Sequence, residues 1–264
     1  MADLEVPTFD PDARPFPVDR LNAVLEVVNA DDRTGALVAA QNVNPVVRLR
    51  YNDHGPKHIR TVLERAMELY GHLKAADVAF NGAADHGLDV ADEPVIIALG
   101  AIFHDVGHVV HRDHHTHYSV ALAWGVLDEL LTAVYDRAVA TTIAGEVLHA
   151  IVSHHEEINP LTREAGVVRV ADALDMERGR SRQPYELGGR GINTLSSRAI
   201  QSVSVRRGDD HAVDIEIEMT SAAGIYQVDE LLRSKVEGSG LEGFIRIVAL
   251  RVDGDDRLVD QIEF

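Results

Sequence analysis

The segment Val95-Ile96-Ile97-Ala98-Leu99 is apolar nearly all round and leads into His104-Asp105. Asp92-Glu93-Pro94 supplies its helix start. A helix without a polar face must be wrapped by other elements, so this one belongs at the centre of a helical bundle. An ionised aspartate at the end of such a helix is costly unless it is paired or bound to a cation. One stretch of sequence thus predicts both a mainly α architecture and a place where chemistry sits.

Periodicity fills in the rest. Pro56 marks a helix start, and Ile59, Val62, Leu63, Ala66, Met67 and Tyr70 carry that helix toward Phe80. Residues 81–89 read as a loop and 111–116 as a polar turn. Helices are expected near 117–134, 136–155 and 164–177, with Pro160 breaking the chain between the last two. Leu21, Val24, Leu25, Val28, Leu37 and Val38 predict two shorter helices between 18 and 43. Residues 1–17 hold four prolines and little periodicity, and read as a loose N-terminal arm.

After a Gly-, Ser- and Arg-rich stretch (179–197), the pattern changes to alternation, as in Val213, Ile215, Ile217 and Met219 against Asp214, Glu216 and Glu218. Four strands are expected near 200–205, 212–219, 243–250 and 257–264, with a helix around 228–236. The expected division is an arm (1–17), a helical domain (18–196) and a small α+β unit of β-β-α-β-β order (197–264).

Composition narrows the chemistry. There is no cysteine, which excludes a disulfide scaffold, a thiolate metal site and a thiol nucleophile. Asp and Glu total 43 against 25 Lys and Arg, a net charge of −18, which argues against nucleic acid as a bulk partner. No apolar run approaches the ~18–20 residues of a membrane span, and residues 1–17 lack a signal-peptide pattern. The expectation is a cytoplasmic protein with no membrane partner; a homodimer is compatible with the sequence.

Of 14 histidines, 11 lie in three windows: His54 and His58; His104, His108, His111, His114, His115 and His117; and His149, His154 and His155. Asp172 lies within the apolar run Val167 to Leu174 and, like Asp105, needs a cation. Imidazole and carboxylate donors without thiolate suit divalent Fe, Mn, Zn, Co or Ni. The candidate ligands are His54, His58, His104, Asp105, His115, His154, His155 and Asp172. They are too many for one ion taking four to six ligands and suit two, with Asp105 bridging.

The ordered set His58, His104-Asp105, Asp172 resembles the HD superfamily of metal-dependent phosphohydrolases over about residues 50–180. The run HDVGH, then His115-x-x-x-Ser119, then His154-His155-Glu156 is similar to the multi-histidine branch that includes the HD-GYP phosphodiesterases. No GYP follows Glu156, and His108 stands where HDxGK has lysine, so cyclic-dinucleotide hydrolysis does not follow. The resemblance implies an HD-domain helical bundle holding two metal ions, and a hydrolase acting on a small phosphorylated substrate such as a nucleotide. Phosphate would be met by Arg178, Arg180 or Lys57, and His108 is a proton-transfer candidate. Two rival readings stand beside it: a nucleotide-binding sensor with a slow or lapsed site, and a di-iron oxygenase.

Overall fold

The computed structural model describes residues 4–177, 196–253 and 256–263. The helical part runs α1 (Asp19–Ala30), α2 (Asp32–Ala40), α3 (Pro56–Ala75), α4 (Asn81–His86), α5 (Glu93–Phe103), α6 (His115–Thr132), α7 (Arg137–Ser153) and α8 (Arg163–Leu174). A π-helical stretch, Val43–Arg48, links α2 toward α3, and a 3-10 turn, Val106–Val109, links α5 toward α6.

Every residue of α5 is buried, as its sequence requires, with α3, α7 and α8 packed around it. Each large apolar side chain sequestered there contributes about 1.5–3 kcal/mol of transfer free energy. The surrounding helices are amphipathic: α3 turns Ile59, Val62, Leu63, Ala66, Met67 and Tyr70 inward. Among the described residues, no helix is long and apolar enough to cross a membrane.

Strands β1 (Ile200–Arg207), β2 (Val213–Met219), β3 (Ile245–Asp253) and β4 (Asp256–Glu263) form one sheet in the order β1-β2-β3-β4. The outer pairs are antiparallel and the central β2–β3 pair is parallel, with Ile215 opposite Ile247. A parallel pair needs a crossover. Here it contains a π-helical stretch, Gln227–Arg233, continuing into an α-helical turn, Ser234–Val236. The alternating residues of β2 put Val213, Ile215, Ile217 and Met219 on the buried face. The fold is therefore a mainly α bundle followed by a small α+β unit.

That unit is fastened to the bundle. The sheet lies against α3, and the crossover lies against α8. Gly166 of α8 allows the closest approach: a Cβ there would sit 2.2 Å from the Ser239 carbonyl oxygen. Buried residues of both parts make one continuous apolar cluster.

The N-terminal residues differ from the expected loose arm. Leu4, Val6, Phe9 and Phe16 are buried, and Asn22 and Asn29 of α1 accept the backbone N–H of Phe9 and Val6 at 2.8 and 2.9 Å. The loop expected at 81–89 contains α4, whose first N–H groups are met by the distant Glu164 carboxylate, at 2.7 Å for Gly82. α8 stops at Leu174, three residues before the expected end, which frees Asp175 to turn toward the site.

A candidate metal centre between helix ends

Five helices deliver the candidate ligands to one point. His104 and His154 are the C-terminal caps of α5 and α7, and Asp172 lies in the last turn of α8. His58 is in the first turn of α3, and His115 opens α6. Helix C-termini carry partial negative charge and favour a cation nearby. Gly107 lets the 3-10 turn sit against α6. A Cβ there would lie 2.0 Å from the His115 carbonyl oxygen, and the Gly107 N–H donates to Ser119 Oγ at 2.8 Å.

The orientation of the rings is fixed by their outer nitrogens. Nδ1 of His104, His115 and His154 each lies 2.7–2.9 Å from the carbonyl oxygen three residues back, of Ala101, Arg112 and Ile151. His54 Nδ1 is 2.6 Å from the Asn52 carbonyl, and His58 Nδ1 is 2.6 Å from Asp175 Oδ2. A carbonyl or ionised carboxylate oxygen only accepts, so each of these Nδ1 atoms is the donor, and in the neutral ring Nε2 keeps its lone pair, pointing inward.

Those inward lone pairs meet in two places. His58 Nε2 is 3.2 Å from His104 Nε2, and His115 Nε2 is 3.3 Å from His154 Nε2. Two acceptors at that distance repel one another unless a cation lies between or beside them. Asp105 divides the two places. Its Oδ2 is 3.4 Å from His58 and 3.3 Å from His104, while its Oδ1 is 3.4 Å from His115, 3.7 Å from His154 and 3.4 Å from His108 Nε2. Asp172 Oδ1 adds to the first place, 3.4 Å from His58 and 3.8 Å from His104. His54 and His108 make a further group with Asp105, and His104, His154 and Asp172 make a fourth that spans the two places. The donors fit divalent metal by type, number and orientation.

Charge and burial agree. Asp105 is buried, which alone would push its carboxyl up; the His104 and His108 imidazoles hold it well below the usual carboxylate range. Burial, reinforced by neighbouring histidines, holds His154 well below the usual imidazole range and pushes His115 down to about 4. Near neutrality Asp105 is therefore ionised and His115 and His154 are neutral. The cavity over it is lined by four carboxylates (Asp105, Asp172, Asp175 and Glu156) and two fixed cations (Arg112 and Lys235).

Not every sequence candidate comes into this arrangement. His155 lines the cavity, 5.5 Å ring to ring from His115, but joins none of the four donor groups found among the described residues. Lys57 is exposed and is not among the cavity's lining residues. Arg178 and Arg180 lie outside the described residues. His111, His114 and His117 are exposed.

Sequence reading missed the supporting residues. Asp175 orients His58. Arg112 stacks on Tyr51, 3.6 Å from its ring centroid. Lys235 pairs with Asp172 across 63 residues of chain. Asn44 donates to the His108 carbonyl at 2.7 Å, and Asn42 accepts from the His54 N–H at 2.9 Å. None of these has a local pattern; the turn composition of 41–44 was the available signal for the two asparagines.

Comparison with known proteins agrees with this geometry. The family model described as HD domain matches residues 57–177. An uncharacterized protein of Methanocaldococcus jannaschii is 35% identical over 230 residues, covering 87% of this chain and 88% of that one. The chain belongs to the HD-domain family. The HD match spans α3 to α8, so it takes in His58, His104, Asp105, His115, His154, Asp172 and Asp175 and leaves out His54 and Lys235. Membership implies binding of divalent metal, and HD proteins are in general metal-dependent phosphohydrolases.

Proposed function

We propose that this HD protein hydrolyses a small phosphate ester or nucleotide at a binuclear metal site, with Asp105 as the bridging ligand. The observation that carries the reading is the pair of Nε2–Nε2 approaches, 3.2 and 3.3 Å, lying on opposite oxygens of one carboxylate. His58, His104 and Asp172 would hold one ion; His115 and His154, with His54 and His108 beside them, would hold the other. Two divalent ions in such a site supply charge to the phosphoryl oxygens and an activated water at neutral pH.

The chain's own groups do the rest. Arg112, held flat by Tyr51, presents its guanidinium at the cavity wall, where it can take a phosphate oxygen in a forked contact. His155 lines the same cavity, and its pKa is lowered by burial and by Lys235, so it is a neutral imidazole able to accept a proton near neutrality. His108 remains a second proton-transfer candidate through its buried Nδ1. Arg178 and Arg180 keep their proposed role as phosphate contacts.

Protein purified without a histidine tag, loaded with each candidate metal and offered a panel of phosphomonoesters and nucleotides tests the reading. The expected result is phosphate release that chelator abolishes and Asp105→Ala lacks. Metal-loaded protein that releases no phosphate from any member of the panel, or that consumes oxygen instead, overturns it.

A further inference from the structure

The crossover of the C-terminal unit presents one face to the metal site. Gln227, Leu231 and Lys235, spaced four apart, line the cavity, while Val228, Leu232 and Val236 are buried. The segment is held in place from both ends. Gln227 Nε2 donates to Ser196 Oγ at 2.7 Å, and Ser239 Oγ donates to the Val236 carbonyl at 2.7 Å, with the Ser239 backbone against Gly166 of α8. Lys235 is thereby delivered to a defined point, its side chain 11% exposed and its Nζ on Asp172 Oδ2.

The two oxygens of Asp172 thus face different ways. Oδ1 faces the His58–His104 pair; Oδ2 is held by an ammonium. A carboxylate next to a divalent ion can ligate through one oxygen or both. An ammonium on the second oxygen competes for its lone pairs and turns it from the ion. We propose that Lys235 is a positioning residue that holds Asp172 to ligation through Oδ1 alone, keeping a coordination place at the His58–His104 ion open for a substrate oxygen. The proposal rests on the metal reading of the site but needs no particular substrate. It also makes the small α+β unit part of the active site.

The test uses the full chain stripped of metal and titrated with cobalt(II), whose visible bands weaken as its coordination number rises. Wild type and Lys235→Arg, which keeps a cation on Oδ2, should show the stronger spectrum. Lys235→Met should bind the same number of equivalents with weaker bands, because Asp172 then chelates with both oxygens. In any phosphatase assay it should lower kcat more than it raises KM. Unchanged bands with a lower Tm would make Lys235 a structural residue, and unchanged bands with a raised KM would make it a substrate contact; either overturns the proposal. If Lys235→Met does not fold, Lys235→Leu, which also lacks a donor, goes through the same titration with the same expectations. Wild type that binds no cobalt removes the ion and overturns both this proposal and the metal reading. Wild type that binds cobalt but hydrolyses no phosphate overturns the proposed activity alone.

Discussion

Asp175 offers the sharpest perturbation of the site from outside its donor set. Its Oδ2 accepts from His58 Nδ1 at 2.6 Å; the His58 side chain is fully buried, and that of Asp175 is 14% exposed. A carboxylate behind a ligating imidazole fixes the tautomer, aims the ring and raises its basicity, and removing such a partner weakens metal binding about 10- to 100-fold. That corresponds to about 1.4–2.7 kcal/mol. Burial and the short contact put Asp175→Ala toward the upper end. Asp175→Asn keeps an acceptor, loses the charge and belongs near the lower end. Glu177→Ala is the control, because Glu177 accepts from the Val203 N–H and pairs with Arg65, both away from the donors. Competition against a chelator of known affinity reads out all three. Asp175→Ala binding as tightly as wild type would refute the reasoning, since His58 would then need no partner to hold its lone pair inward.

Other outcomes follow from the same geometry. His154→Ala should keep the ion of the His58–His104 side and lose about one equivalent, while Asp105→Ala should lose both, read by elemental analysis. Because burial lowers the His115 and His154 pKa values, no proton competes for their lone pairs near neutrality; the metal equivalent they hold should stay bound there and be lost only as pH drops toward about 4. Loss beginning near the ordinary histidine pKa of about 6.5 would contradict that environment. Gly166→Ala should cost about 1–3 kcal/mol by overpacking against Ser239. Gly125→Ala in α6, where a Cβ meets nothing within 4 Å, should instead stabilise the fold by about 0.5–1 kcal/mol of helix propensity, read as a higher Tm.

What the sequence made legible was local and periodic. The apolar run of α5 declared its own burial, the alternation of β2 declared its inward face, and Asp105 and Asp172 announced themselves as charges inside apolar runs. What stayed hidden was contact between distant segments. Glu164 caps α4 from 82 residues away, so residues 81–86 looked like loop. The parallel pairing of β2 with β3 depends on where the crossover packs, not on either strand's pattern. Leu4, Val6, Phe9 and Phe16 follow no helical or strand period because their backbone is largely irregular, yet they are buried, with Val6 and Phe9 tied to α1 and Phe16 against Tyr70 of α3. Asp175 fell inside the helix expected to run to 177; the helix's ending at Leu174 sends the carboxylate to His58, 117 residues away. Lys235 sits in an ordinary amphipathic segment, and nothing in its neighbours marks it as reaching Asp172.

The division of donors around Asp105 is the centre of this account, and anomalous diffraction from metal-loaded crystals measures it most directly. Data collected at the absorption edge of the bound metal should give two peaks per chain, about 3.5–4 Å apart. One should lie among His58, His104 and Asp172 and the other between His115 and His154, with Asp105 in contact with both. A single peak, or a pair that Asp105 does not bridge, would contradict it.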